Sequence, residues 1–115
     1  MFDMSTDPPR KTMSQLRRGT VGYCVMALLG RRERYAVELV RELAAHQALA
    51  AGQGTIYPLL SRLRSDGMVA TEWKESPSGP PRRYYSLTDK GRASLERFRG
   101  EWKQFSDAVD TFMED

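Results

Sequence analysis

The sequence predicts one mainly α-helical domain with a small β-hairpin, ordered as a winged helix-turn-helix and followed by a coiled-coil-like C-terminal helix. Three observations carry this. The run GTIYPLLSRLRSDGMV at Gly54–Val69 places Ile56, Leu59, Leu60 and Leu63 at i, i+3, i+4 and i+7, one apolar stripe on a helix. Just downstream, SGPPRRYY at Ser78–Tyr85 reads as a basic hairpin. Beyond it, Leu95, Phe98, Trp102, Phe105, Val109 and Phe112 are spaced 3, 4, 3, 4 and 3, the period of a coiled-coil seam.

A first helix is expected from about Ser14 to Leu29, stopping near Gly30, where glycine before Arg31 and Arg32 suits a C-terminal cap. Residues 1–13, with the string DPPRK, lack periodicity and predict a flexible basic arm. The second half of the first helix is apolar nearly all round, so it needs cover on two sides, from its own core and from a partner subunit. A second helix over roughly Arg34–His46 puts Ala36, Leu39, Val40 and Leu43 on one face, and the Gln47–Gln53 linker makes the turn.

The third helix is expected to start close to Gly54, because Pro58 is tolerated in a first turn, where its missing N–H is not needed. Asp66-Gly67 ends it. Strands follow at Val69–Lys74 and Arg83–Leu87, bridged by the Pro- and Gly-rich tip Ser76–Pro81. Thr88 is a good N-cap for the last helix, although Gly91 stands where a reciprocal capping box needs Glu. Six large apolar side chains in one seam favour a homodimer through that helix. The expected division is an arm at 1–13, a winged helix-turn-helix at 14–87 and a dimerisation helix at 88–115.

Composition bounds the function. A chain of 115 residues with 40% hydrophobic and 29% charged residues has room for one core and a well-solvated surface. The net charge is +3 and the pI about 9.2, which permits a polyanionic partner. Basic residues crowd the first two-thirds, whereas the tail from Glu101 is acidic. Cys24 is the sole cysteine, so an intrachain disulfide is impossible, and its apolar surroundings make it a small buried hydrophobe. The run Val21–Leu29 is too short to span a bilayer and badly placed for a signal peptide, so a cytoplasmic protein with no membrane partner is expected. With one histidine, His46, and no metal-ligand spacing, phosphate loop or nucleophile constellation, no catalytic residue, metal or cofactor is expected.

These residues resemble the PadR family of bacterial transcriptional regulators, in particular its short members with a single C-terminal helix. The matching strings are LRRGTV at Leu16–Val21, ERYAVEL at Glu33–Leu39, GTIYPLLSRL at Gly54–Leu63, GPPRRYYSLT at Gly79–Thr88 and the segment around Trp102. In this order they are highly specific. The chain departs from the family where glycine and an aromatic are usual, at Ala36 and Val37, and where serine is frequent, at Gly52.

The resemblance implies a dimer that binds an inverted-repeat double-stranded DNA operator, usually as a repressor, and leaves it when a ligand binds. Gln53, Ser61 and Arg62 are the expected base contacts, while Thr55 and Tyr57 position the helix near its positive end. Tyr57 has a second possible role as a ring partly packed in the core. Arg82 and Arg83 are expected at the adjacent minor groove or its phosphates, and Tyr35 resembles a family phosphate contact. Of Tyr84 and Tyr85, one should face the core. Trp102, with Phe98 and Phe105 beside it, either stacks on a small aromatic effector or simply packs the dimer seam. The rival function is a winged-helix module that binds protein without DNA.

Overall fold

The computed structural model describes residues 9–114, built as α1 (Pro9–Arg18), α2 (Val21–Arg31), β1 (Arg34–Tyr35), α3 (Ala36–Ala44), a 3-10 turn at Gln47–Leu49, α4 (Gln53–Ser65), β2 (Val69–Ser76), β3 (Gly79–Leu87) and α5 (Asp89–Met113). The three strands form one antiparallel sheet in the order β1-β3-β2. Predicted and observed architecture agree: helices dominate and one small sheet forms the wing. Val25, Leu39, Ile56 and Leu60 are the most deeply buried large side chains, so α2, α3 and α4 meet at one point. Val69 from β2 and Leu95 from α5 close the core.

The single helix expected over Ser14–Leu29 is two helices broken at Gly19-Thr20. Thr20 competes for backbone groups at the break: its N–H donates to the Arg17 carbonyl at 2.9 Å and its hydroxyl to the Leu16 carbonyl at 3.1 Å. Its own carbonyl then accepts from Tyr23 and Cys24, starting α2. A hydroxyl residue after glycine ends one helix and launches the next. The arm expected over 1–13 is helical from Pro9 onward, and residues 1–8 lie outside those described. Gly30 is not a cap either. It lies inside the last turn of α2, where a Cβ would stand 3.4 Å from Leu87. Cys24 is half-buried rather than buried, packed beside the core, and desolvation raises its thiol pKa.

The second helix is shorter than Arg34–His46. Arg34 and Tyr35 pair with Tyr85 and Tyr84 of β3, and the helix begins only at Ala36, where the Glu38 carboxylate accepts the Tyr35 N–H at 3.2 Å. Arg34 explains the short strand. Its side chain is only 5% exposed, donates to the Leu28 and Arg32 carbonyls, and pairs with Glu42 at 2.6 Å. The buried guanidinium therefore ties the end of α2 to α3, and without Glu42 it would be an uncompensated charge.

Helix α4 starts at Gln53, within one residue of the expected start, but Pro58 is then its sixth residue. Pro58 thus sits past the first turn, and the Gly54 carbonyl, which an N–H at 58 would have met, lies on an exposed stretch. The helix closes on a Schellman motif. Gly67 adopts φ +76°, its N–H meets the Arg64 carbonyl at 3.0 Å, and the Met68 N–H meets the Leu63 carbonyl at 2.9 Å.

The origin of α5 is built onto that turn. The Thr88 hydroxyl donates to the Gly67 carbonyl at 2.6 Å and accepts the Gly91 N–H at 3.0 Å, while the Thr88 N–H reaches the Met68 carbonyl at 3.1 Å. Lys90 adds a bond to the Asp66 carbonyl at 2.8 Å. The missing capping-box Glu now has a cause: a Cβ on Gly91 would lie 2.1 Å from the Met68 carbonyl oxygen. No side chain fits there.

Candidate nucleic-acid interface

Helix α4 has two unlike faces. Ile56, Leu59, Leu60 and Leu63 are buried, so the 3.6-residue period turns Gln53, Thr55, Tyr57, Ser61 and Arg62 outward, all of them exposed. Tyr57 keeps 43% of its surface, which puts its ring outside the core. No acidic residue stands in the first turn, and the N-cap is Gly52, which has no side chain to cap with. The Thr55 N–H already donates to the Gly52 carbonyl at 3.0 Å, so the N–H groups of Gln53 and Gly54 are the ones left to an outside acceptor, at the positive end of the helix dipole.

The wing is a longer hairpin than expected. Its strands continue to Ser76 and Gly79, leaving only Pro77-Ser78 as the turn, with a bulge between Lys74 and Ser76. The register pairs Trp73 with Arg83 and Lys74 with Arg82, on opposite faces of the ribbon. Arg82 lies with its guanidinium 4.5 Å from the centre of the Tyr35 ring, and Tyr35 meets Tyr84 edge-on at 5.5 Å. On the same face Lys74 bonds to Glu33, which raises the lysine pKa, and lies 5.5 Å from the Tyr84 ring. Tyr85, on the other face, packs against the core, as one of the two tyrosines was expected to do.

Arg83 lies 5.0 Å over Trp73, which is 62% exposed. Neither Trp73 nor Lys74 stands out in the sequence. Their signal is the strand register, and the six-residue tip expected from the prolines hid it.

Along α5 the aromatic seam peels away from the body. Leu95 is buried and Phe98 stacks on Tyr23 at 3.9 Å with nearly parallel rings, but Trp102, Phe105, Val109 and Phe112 are exposed, Phe112 at 83%. A groove of about 780 Å³ runs between α1, the 3-10 turn and α5, with Met13, Leu16, Leu49, Phe98, Trp102 and Phe105 in its lining. The three candidate effector residues thus share one apolar wall, Trp102 lying between Phe98 and Phe105 at ring separations of 6.1 and 6.3 Å. No group of metal-ligating side chains and no helix long and apolar enough to cross a membrane occurs among the described residues.

Residues 25–97 match the model of the "Transcriptional regulator PadR-like family". Among solved structures, a PadR family transcriptional regulator from Eggerthella lenta is 36% identical, covers 91% of each chain and superposes with a TM-score of 0.81. A PadR-like transcription factor from Bacteroides fragilis is 39% identical over 89% of this chain and 98% of its own, with a TM-score of 0.73. A transcriptional regulator of Mycobacterium tuberculosis is 32% identical over 76% of this chain and 79% of its own. Helix α4, the wing and the junction of Thr88 with Gly91 all lie inside the matched span, and on these grounds the chain belongs to the PadR-like family of transcriptional regulators.

Proposed function

We propose that this protein binds duplex DNA as a homodimer, with α4 in the major groove of each half-site of an inverted-repeat operator and the wing at the adjacent minor groove, and that it acts as a repressor. The observation that carries this reading is the exposed face of α4. Gln53, Thr55, Tyr57, Ser61 and Arg62 project opposite a buried stripe, beside a helix end with open N–H groups. Residues 14–87 would form the DNA-binding unit, with Tyr35, Arg82 and Arg83 supplying further contacts, and residues 88–115 the dimerisation segment. Dimerisation is supported by the seam, since Trp102, Phe105, Val109 and Phe112 stand in water in one subunit. Each large ring gains about 1.5–3 kcal/mol on burial, and the same seam on a second copy is the self-complementary partner.

Release by a small aromatic molecule belongs to the same reading. The groove beside Trp102 has the size and apolar character of a small-molecule site. A planar aromatic compound seated there should quench Trp102 and lower DNA affinity.

Selection from random duplexes followed by binding titrations tests the proposal. The expected outcome is an inverted repeat with half-sites about one helical turn apart, bound with an affinity that falls steeply with salt, about 10³-fold or more between 50 and 200 mM. Replacing Arg62 by Ala should weaken binding about 10- to 100-fold without lowering the melting temperature. Salt-independent or absent duplex binding would instead favour a module that binds protein.

A further inference from the structure

The two wing arginines are in different situations. Strand β1 pairs with β3 only at Tyr84 and Tyr85, so the rungs carrying Arg82 and Arg83 lie beyond the third strand, where the ribbon has two strands. On one face of that ribbon the cations are moored to the body: Arg82 lies on the Tyr35 ring and Lys74 is tied to Glu33. On the other face Arg83 and Trp73 are held by each other. The Arg83 side chain makes no ion pair or hydrogen bond among the described residues, and its Nε is shut from solvent without a partner. Trp73 is outside the core cluster and 62% exposed, an unusual position for the largest side chain unless its surface is used.

We propose that Arg83, braced by Trp73, is the side chain of the wing that reads minor-groove width, and that it gives the protein a preference for A·T-rich DNA flanking each half-site. The proposal rests on the DNA-binding reading above and names what the wing recognises. A narrow A·T minor groove concentrates negative potential and attracts an inserted guanidinium, and no base-specific hydrogen bond is needed. An arginine free to rotate loses that freedom on insertion. One already laid on an indole has lost part of it before DNA arrives, so Trp73 acts as a positioning residue through Arg83. Arg82, held against Tyr35 beside the start of α3, is left for the phosphate backbone, which carries no sequence information.

The experiment compares two duplexes that share the selected half-sites and differ only in A·T-rich or G·C-rich flanks. Dissociation constants are measured by fluorescence anisotropy at one salt concentration. The wild type should bind the A·T-flanked duplex about tenfold more tightly. Both R83A and W73A should erase that preference, W73F should restore most of it, and the W73A/R83A double variant should bind no more weakly than R83A. R82A should weaken both duplexes alike and keep the preference. Trp73 lies outside the core cluster, and circular dichroism melts show whether each variant folds as the wild type does.

Equal wild-type binding to the two flanks would overturn the inference while leaving DNA binding intact. So would W73A behaving as wild type, or R82A rather than R83A removing the preference. Failure of the wild type to bind any duplex would overturn the regulator reading itself, and this inference with it.

Discussion

Replacing Gly91 by Ala should destabilise the protein, although helix propensity alone favours the change. Gly91 is the third residue of α5, and there Ala is worth up to about 1 kcal/mol over Gly. Against this, the added Cβ would lie 2.1 Å from the Met68 carbonyl oxygen, 2.7 Å from Leu87 Cδ1 and 3.0 Å from the Met68 carbonyl carbon. A flexible side chain could yield, but the closest atom is backbone. That carbonyl is held by the Thr88 N–H at 3.1 Å, and relieving the clash also pulls the Gly91 N–H from the Thr88 hydroxyl. Overpacking of about 1–3 kcal/mol and a damaged N-cap of about 1 kcal/mol outweigh the propensity gain, leaving a net loss of about 1–3 kcal/mol. For a domain of this size that is a fall of about 4–12 °C in melting temperature.

Calorimetry or circular dichroism at one protein concentration measures it, since the proposed dimer would melt at a concentration-dependent temperature. Gly100→Ala is the control: the residue lies in the same helix with nothing within 4 Å of its Cβ position, so it should gain about 0.5–1 kcal/mol. A melting temperature for Gly91→Ala equal to or above the wild type would refute the reasoning, because the α5 origin would then have slack.

Further outcomes follow from other contacts. Phe105→Asp places a charge in the exposed seam of α5, once in each copy of the proposed dimer, and should weaken that association at least about 100-fold by analytical ultracentrifugation while the body keeps its helical content. Glu42→Ala strips the carboxylate from buried Arg34, and with Glu42 itself one-third exposed the loss should be about 2–3 kcal/mol in urea unfolding, recovered in part by Gln. Because burial raises the Cys24 thiol pKa, alkylation at neutral pH should be slower than for a free thiol and should accelerate on unfolding. The sign for stability follows: the thiol contribution is complete below the unfolded value of about 9 and is lost as pH rises through the higher folded value, which melts between pH 8 and 10.5 would register.

The features that were legible in the chain share a cause. The stripe of α4 and the alternation of Tyr84 with Tyr85 are each a periodic pattern within one element, imposed by helix or strand geometry wherever one face is buried. The features that were missed are contests between neighbours. Thr20 ends a helix that the apolar pattern would have carried through, because its backbone and hydroxyl take the carbonyls of Leu16 and Arg17. Arg34 reads as a helical residue until Tyr85 and Glu42 are seen to claim its backbone and its guanidinium.

The site divides along the same line. Which side chains of α4 are free to meet a ligand was determined by spacing alone, since burying Ile56, Leu59, Leu60 and Leu63 leaves Ser61 and Arg62 no other direction. Only the folded chain decided which cation of the wing is tethered to the body, Arg82 on Tyr35, and which is held only within the wing, Arg83 on Trp73. That distinction depends on a one-residue bulge near Glu75, which sets Trp73 across from Arg83, and on a two-residue strand that ends at the Tyr84 rung, before either arginine. Pairing between strands is a property of distant segments meeting, and local sequence carries no period that records it.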